Sequence, residues 1–481
     1  MAISDGSDRE NGENSIAPAL QTEGAAVEVM DTIMVRPKKP TSRHLMYMSG
    51  VDQILAAAWP NRTILFYRGQ IDSTAVVKRL EHAIASVLVS YYPMAGRLAR
   101  DENGRLVVDC NDEGVQLIHA RCDLSITDLQ GKGFAIQPHF RQLVPMDHLQ
   151  SSDSSDDPLA CFQVTAFKDG ITLGVAVAHS VADGAATWSF IKAVSQTSRG
   201  QPLSIYPLHA RYLLKPSVFM PHTVFLSPDA KEEMKAAKGA PYNGCEEPIR
   251  VSNANLEVLQ QRVIHFSREM LDILKKECLN TISNAKPGDF VSSFQALGAY
   301  LWKRLVMAQN LDEETGVDFR VAMDVRNRMI PPLTPGFFGN AVVGVPTPST
   351  AGELVTESLG NTCVRIRRSI NQVDDDYIKR ALIDRENKDL RKIALSKVQV
   401  VTLRNGTGFH VYEAGDFGWG QPEAVRPPVE YREGEITLYP GKEAKSIDVI
   451  VALSEATCKN FFSENIYPND PIQNFPLHLP E

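Results

Sequence analysis

Strand-like and helix-like periods alternate along most of this chain. Short apolar runs bounded by Pro, Asn and Gly predict strands at Val27-Glu28-Val29 and at Thr63-Ile64-Leu65-Phe66-Tyr67. The period then lengthens. Val76, Leu80, Ala83 and Val87 recur at spacings of three and four, which predicts a helix that Ser73 can cap and that Pro93 stops beyond Tyr92. After the Asn103-Gly104 turn, residues 105–109 read as another strand. Residues 170–178 are apolar at nearly every position, so this strand must be covered on both faces and lie inside a sheet rather than at its edge. Residues 185–194 behind it fit a helix. Farther on, Phe294, Leu297, Leu301 and Leu305 form one stripe of a helix starting near Ser292, a core face rather than a cofactor box. Ile447–Leu453 is a further strand. No repeat of 20 to 50 residues is visible, which disfavours solenoids and propellers.

Three stretches carry no such period. Residues 1–27 are polar and Gly-bearing, with five acidic side chains against Arg9, and read as a solvated tail. Residues 151–157 are an acidic loop. Residues 228–255 turn to Lys, Glu, Gly, Ala and Asn, which suggests a crossover linker between a unit at 28–227 and a second at 256–481. A length of 481 residues agrees with more than one unit.

Composition narrows the function classes. With 43% hydrophobic and 22% charged residues the chain is neither disordered nor fibrous. A formal net charge of −8 repels nucleic acid and anionic membrane surfaces, so any anionic ligand needs a local basic patch. Cys110, Cys122, Cys161, Cys245, Cys278, Cys363 and Cys458 are odd in number and scattered, without CxxC or Cys/His ligand spacing, and read as reduced thiols with no structural zinc. The N-terminal stretch lacks the basic and apolar regions of a signal peptide, and no run reaches the roughly 18 apolar residues of a membrane helix. A cytoplasmic, soluble monomer is the expectation.

Two segments carry candidate chemistry. His179-Ser180-Val181-Ala182-Asp183-Gly184 follows the apolar strand directly, and a strand exit holds a side chain on a rigid base with its tip in a cleft. Histidine suits general-base work near neutral pH. A second His-x-x-x-Asp, His119 to Asp123, lacks both the following glycine and the long buried strand. The other segment is Asp416-Phe417-Gly418-Trp419-Gly420, which places one of only four tryptophans between two glycines. Two glycines around a bulky ring imply a tight backbone path, with Asp416 placed to accept hydrogen bonds. By itself that is a structural turn.

Together and in this order, HxxxDG and DFGWG resemble the paired signatures of the plant BAHD acyltransferase family. Val51-Asp52-Gln53, Tyr92-Pro93-Met94-Ala95-Gly96-Arg97-Leu98, the Asp324-x-Arg326-x-Arg328 run and Gly336-Phe337-Phe338-Gly339-Asn340 are similar to further family landmarks, so the resemblance spans about residues 28 to 465. It implies an α/β fold of two chloramphenicol-acetyltransferase-like domains, mixed sheets flanked by helices, with a reaction channel at their interface. It implies acyl-CoA as co-substrate, a small-molecule acceptor, and no bound cofactor or metal. His179 and Asp416 are its candidate catalytic residues, with Asp416 read as more structural or electrostatic than chemical. Asp183, Gly184, Arg326, Gly418, Trp419 and Gly420 support the site, and Asp183 is expected to pair with Arg326, or else Arg328.

Residues 32–37 and the Pro40-Thr41 pair look like the opening of hydroxycinnamoyl-CoA transferases, which favours an aromatic donor. Relatives acting on shikimate or quinate carry an arginine shortly before DFGWG, yet residues 406–415 contain none; Phe409 and His410 occupy the place, and Arg404 is the nearest substitute. An apolar alcohol or an amine is thereby a comparable acceptor. The rival readings are an acetyltransferase of terpenoid or alkaloid alcohols, a catalytically silent ligand-binding relative, and a trimeric antibiotic acetyltransferase, whose chains are about half this length.

Overall fold

A computed structural model describes residues 27–144, 156–219, 259–285, 290–387, 399–428, 433–475 and 477. The expected tail up to residue 26, the acidic loop at 151–155 and the linker at 228–255 lie outside the described residues.

Two six-stranded mixed sheets carry the fold. The first runs in the order Val27–Val35, Val115–Cys122, Ala160–Phe167, Gly170–Val177, Asn61–Arg68 and Ala424–Arg426. Its one parallel pair is Val115–Cys122 with Ala160–Phe167. The Gly170–Val177 strand is buried at every position, hydrogen-bonded to a neighbour on each side. One face of this sheet is covered by the helices Ser73–Val87 and Gly184–Ser198, the other by Ile126–Gly131 and the turn at Pro138–Leu143. Val76, Leu80, Ala83 and Val87 all point into that first core, where a fully buried Val or Leu contributes about 1.5–3 kcal/mol over an exposed one.

The helix differs from its sequence reading at both ends. Asp72, not Ser73, is its cap, accepting from the Thr74 and Ala75 N–H groups; the Ser73 hydroxyl is engaged by His119 Nε2 at 2.9 Å. It also ends at Val87, and Pro93 opens a separate 3-10 turn at Tyr92–Ala95.

The second sheet runs Val342–Thr350, Gly316–Asp324, Gln399–Asn405, Glu435–Pro440, Ile447–Leu453 and Gln260–Phe266. The helices Arg268–Asn280, Ser293–Gln309, Leu359–Asn371 and Glu455–Phe461 cover it, with the Leu297, Leu301 and Leu305 stripe buried and Ser292 forming a capping box with Gln295. A small third sheet joins Leu45–Tyr47, Leu106–Asp109 and Arg97–Arg100.

The seam between the lobes is itself apolar. Val51 and Leu55 of the helix Gly50–Leu55 meet Val325, Phe337, Ala341 and Leu382 there. Sequence halves and sheets do not coincide throughout, since Ala424–Arg426 pairs antiparallel with residues 64–66 of the first sheet. The six described cysteines are buried free thiols, Cys245 lying outside the described residues.

Candidate active site

His179 stands two residues beyond the end of the buried central strand, partly buried where its neighbours are fully buried. The turn that presents it is held by side chains from both lobes. Asn340 Nδ2 donates to the His179 carbonyl at 2.7 Å, Arg211 Nη2 to the Val181 carbonyl at 2.5 Å, and Asn61 Nδ2 to the Ala182 carbonyl at 2.7 Å. Carbonyls buried in a tight turn need partners, and here long-range side chains supply them.

Asp183 closes this turn and caps the helix Gly184–Ser198, accepting from the Ala186 N–H at 2.9 Å. The carboxylate is 1% exposed and takes three more donors: Arg326 Nη1 at 2.9 Å, Arg326 Nη2 at 3.1 Å and the Ala341 N–H at 2.9 Å. This is a bidentate fork at a helix N-terminus, where a negative charge is also favoured by the backbone dipoles. Arg326 in turn donates to the Gly339 and Phe337 carbonyls. Burial works against its charge, but Asp183 and then Asp324 outweigh that and raise its pKa. Arg328, the alternative partner, instead donates to the Ile370 and Val373 carbonyls. The Asp183 side chain thus faces the lobe seam, shaping the turn.

A second buried carboxylate completes the scaffold. Asp52 caps its own short helix through Ser49 with Oδ2, while Oδ1 accepts from Asn340 Nδ2 at 2.7 Å and faces Arg211 Nη1 at 3.0 Å. Sequence reading quoted Asp52, Asn340 and their neighbours as landmarks but gave them no role, and it missed Arg211 and Asn61. Nothing local marks them, because the Asp52 and Asn340 partners lie 288 residues apart.

Gly184 has a steric reason. A Cβ there would sit 2.9 Å from Cζ of Phe409, so the ring can lie against the first turn of the helix only because residue 184 has no side chain. Arg404 is salt-bridged to Glu435 at 3.0 Å.

The DFGWG segment docks at the other end of the same helix. Ser195 Oγ donates to the Asp416 carbonyl at 3.0 Å and Ser198 Oγ to the Phe417 carbonyl at 2.7 Å. From Gly184 to Ser195 the helix rises about 16 Å at 1.5 Å per residue, so Asp416 and His179 are not brought together. The Asp416 carboxylate accepts from the Gly418 N–H at 2.9 Å. Gly418 and Gly420 have φ of +104° and +105°, which a side chain would strain, and a Cβ at Gly418 would also meet Arg79 Nη1 at 2.9 Å. Trp419 stacks on Phe417 with centroids 5.4 Å apart and meets Tyr67 edge-on at 5.9 Å. The Tyr67 hydroxyl donates to the Gly415 carbonyl at 2.6 Å; burial first, and the nearby Asp416 charge second, keep it protonated.

Among the described residues no cluster of His, Cys, Asp and Glu fit to hold a metal ion occurs, and no helix is long and apolar enough to cross a membrane.

Known proteins place this architecture. The chain is 30% identical over 442 residues to a hydroxycinnamoyltransferase of Narcissus pseudonarcissus, covering 89% of this chain and 96% of that one. It is 28% identical to a shikimate O-hydroxycinnamoyltransferase of Nicotiana tabacum, covering 92% and 99%. An omega-hydroxypalmitate O-feruloyl transferase of Arabidopsis thaliana is 29% identical, with 91% and 92% covered. Vinorine synthase has the same fold at a TM-score of 0.70 and 18% identity, over 95% of this chain and 100% of that one. So does F. sporotrichioides TRI101, solved with coenzyme A and T-2, at a TM-score of 0.71 and 19% identity over 88% and 98%. The model of the Transferase family matches residues 25–467, and the chain belongs to this family of acyl-CoA-dependent BAHD acyltransferases.

Proposed function

We propose that this enzyme moves an aromatic, hydroxycinnamoyl-type acyl group from its CoA thioester to a hydroxyl or amine of a small metabolite, with His179 as the general base. The observation that carries the reading is the clamped turn. It fixes the backbone of His179 at the seam of the two lobes and leaves that residue only partly buried between fully buried neighbours. His179 takes the acceptor proton as the acceptor oxygen or nitrogen attacks the thioester carbonyl. The tetrahedral oxyanion collapses, the C–S bond breaks, and the imidazolium returns the proton to the thiolate of CoA. No covalent enzyme intermediate is required.

The donor class rests on relatives named for hydroxycinnamoyl and feruloyl transfer. For the acceptor, Arg404 already neutralises Glu435, and Phe409 sets its ring edge against the start of the Gly184–Ser198 helix. These favour an uncharged alcohol or amine over a carboxylate-bearing acceptor such as shikimate. Asp416 we assign a positioning part, holding the Phe417–Trp419 turn against the helix. We further place the enzyme in the cytoplasm as a monomer, which gel filtration and cell fractionation check.

The test is thiol release from p-coumaroyl-CoA, feruloyl-CoA and acetyl-CoA across long-chain alcohols, arylamines and shikimate. Turnover with the aromatic thioesters and an uncharged acceptor is expected. Preference for acetyl-CoA would replace the donor assignment, and failure with every thioester would reject the reading.

A further inference from the structure

The clamp on the His179 turn contains one side chain whose arrangement packing does not account for. Asn340 is fully buried, and its single Nδ2 group lies 2.7 Å from two acceptors at once, Asp52 Oδ1 and the His179 carbonyl. Neither acceptor has a proton to give, so the amide must present nitrogen to both, and its orientation is fixed chemically. The cost is visible on the other side: Asn340 Oδ1 is buried without a hydrogen-bond partner among the described residues. A fold that needed only to fill this space would accept an apolar side chain of similar size. A buried polar atom left unpaired calls for a functional account.

Asp52 is shaped to serve that amide. Its Oδ1 also accepts from the Asn340 backbone N–H at 3.3 Å, so one oxygen grips both nitrogens of residue 340. Arg211 balances the charge and holds the Val181 carbonyl with its other nitrogen. The guanidinium lies beside Gly339, where a Cβ would be 3.4 Å from its Cζ.

We propose that Asn340 is a positioning residue for the acyl transfer: oriented by Asp52, its amide pins the backbone carbonyl of His179 and so sets where the imidazole sits relative to the acceptor hydroxyl and the thioester. The inference rests on His179 being the general base. It extends that reading to a residue that touches no substrate and works through hydrogen bonds to backbone. Misplacement of a reacting group by about 1 Å costs on the order of 10²-fold in rate, which is the scale expected here.

The decisive experiment separates the clamp from the fold. Asn340→Ala removes the donor; kcat is expected to fall about 10²-fold, with KM for thioester and acceptor changed less than about threefold. The transposed pair Asp52→Asn with Asn340→Asp rebuilds a hydrogen bond between the two positions and keeps one carboxylate near Arg211, but leaves residue 340 with no side-chain N–H for the His179 carbonyl. A melting temperature restored toward wild type with kcat still low supports the positioning role. Restored kcat, or an Asn340→Ala enzyme with wild-type kcat, overturns it. A second readout does not depend on turnover: in ¹⁵N-histidine-labelled enzyme, the His179 ring signals, assigned by their loss in His179→Ala, must shift in Asn340→Ala and stay in place in Ser198→Ala. Unchanged signals in Asn340→Ala overturn the proposal, even if the wild-type enzyme accepts none of the tested thioesters and the acyl-transfer reading has failed separately.

Discussion

The helix Gly184–Ser198 carries a signature segment at each end, and the two ends are built by different physics. At its N-terminus, the His179–Asp183 turn is held by charged and amide side chains that are almost wholly buried and come from both lobes. At its C-terminal end, the Asp416–Gly420 turn is held by two serine hydroxyls, stacked rings and glycines with positive φ, and is partly exposed. Ionic forks fix a backbone in low dielectric with little freedom. Serine hydroxyls and ring contacts dock a segment chiefly through neutral interactions, with the Asp416 carboxylate tied to the Gly418 N–H within its own turn. The first kind of scaffold suits the general-base role proposed for His179, and the second ties the Asp416–Gly420 segment to the helix.

The comparison breaks most sharply at His179. His179→Ala is expected to lower turnover by about two to four powers of ten while leaving the melting temperature near wild type, as thiol release and calorimetry would show. Near-wild-type turnover would place the base elsewhere. Next comes Arg326→Ala, which strands the Asp183 carboxylate in the interior. A loss of about 3–5 kcal/mol in denaturant unfolding is expected, with activity lost alongside, because a buried charge without its partner is costly. The paired change Asp183→Asn with Arg326→Met should recover much of that stability and little of the activity.

At the opposite end the effects on stability should be severalfold smaller. Ser198→Ala removes one neutral hydrogen bond, so about 1 kcal/mol of stability is expected to go, with turnover within about twofold. Asp416→Asn keeps an acceptor for the Gly418 N–H and should also leave most of kcat; a fall as deep as that of His179→Ala would make Asp416 part of the chemistry.

The mildest test uses a tie outside both turns. His265 Nδ1 meets Asp448 Oδ1 at 2.8 Å, and Asp448 Oδ2 accepts from Arg426 at 2.9 Å. The hydrogen bond to Asp448, then its charge, raise the His265 pKa above the ordinary value; burial pushes Asp448 up, but His265 and Arg426 outweigh it and hold it low. The stabilisation from His265 is therefore complete below its unfolded pKa of about 6.5 and is lost as pH rises through the raised folded value. Melting curves of wild type and His265→Ala should differ most near pH 6 and converge in mild alkali, with kcat unaffected at either pH.

Much of this was legible from residues alone. The unbroken apolar character of 170–178 identified an interior strand, and the spacing of Phe294, Leu297, Leu301 and Leu305 identified a core helix, because burial writes itself into local periodicity. His179 followed as the residue at that strand's exit. What sequence could not supply was the scaffold around it, since Asp52, Arg211 and Asn340 act across separations that no local pattern encodes. Even the cap of the Ser73–Val87 helix turned on such a contact, His119 drawing the Ser73 hydroxyl away. A strand of three residues, Ala424–Arg426, is too short to announce itself.

That short strand has a consequence for how the protein can be made. It covers the outer side of Asn61–Arg68, and its last residue, Arg426, donates to the Phe134 carbonyl. An N-terminal half expressed alone would present a bare, sticky β-edge, the usual seed for aggregation. The two lobes are therefore not interchangeable cassettes: swapping whole halves between relatives should yield soluble enzyme only when residues 424–426 travel with the sheet they complete.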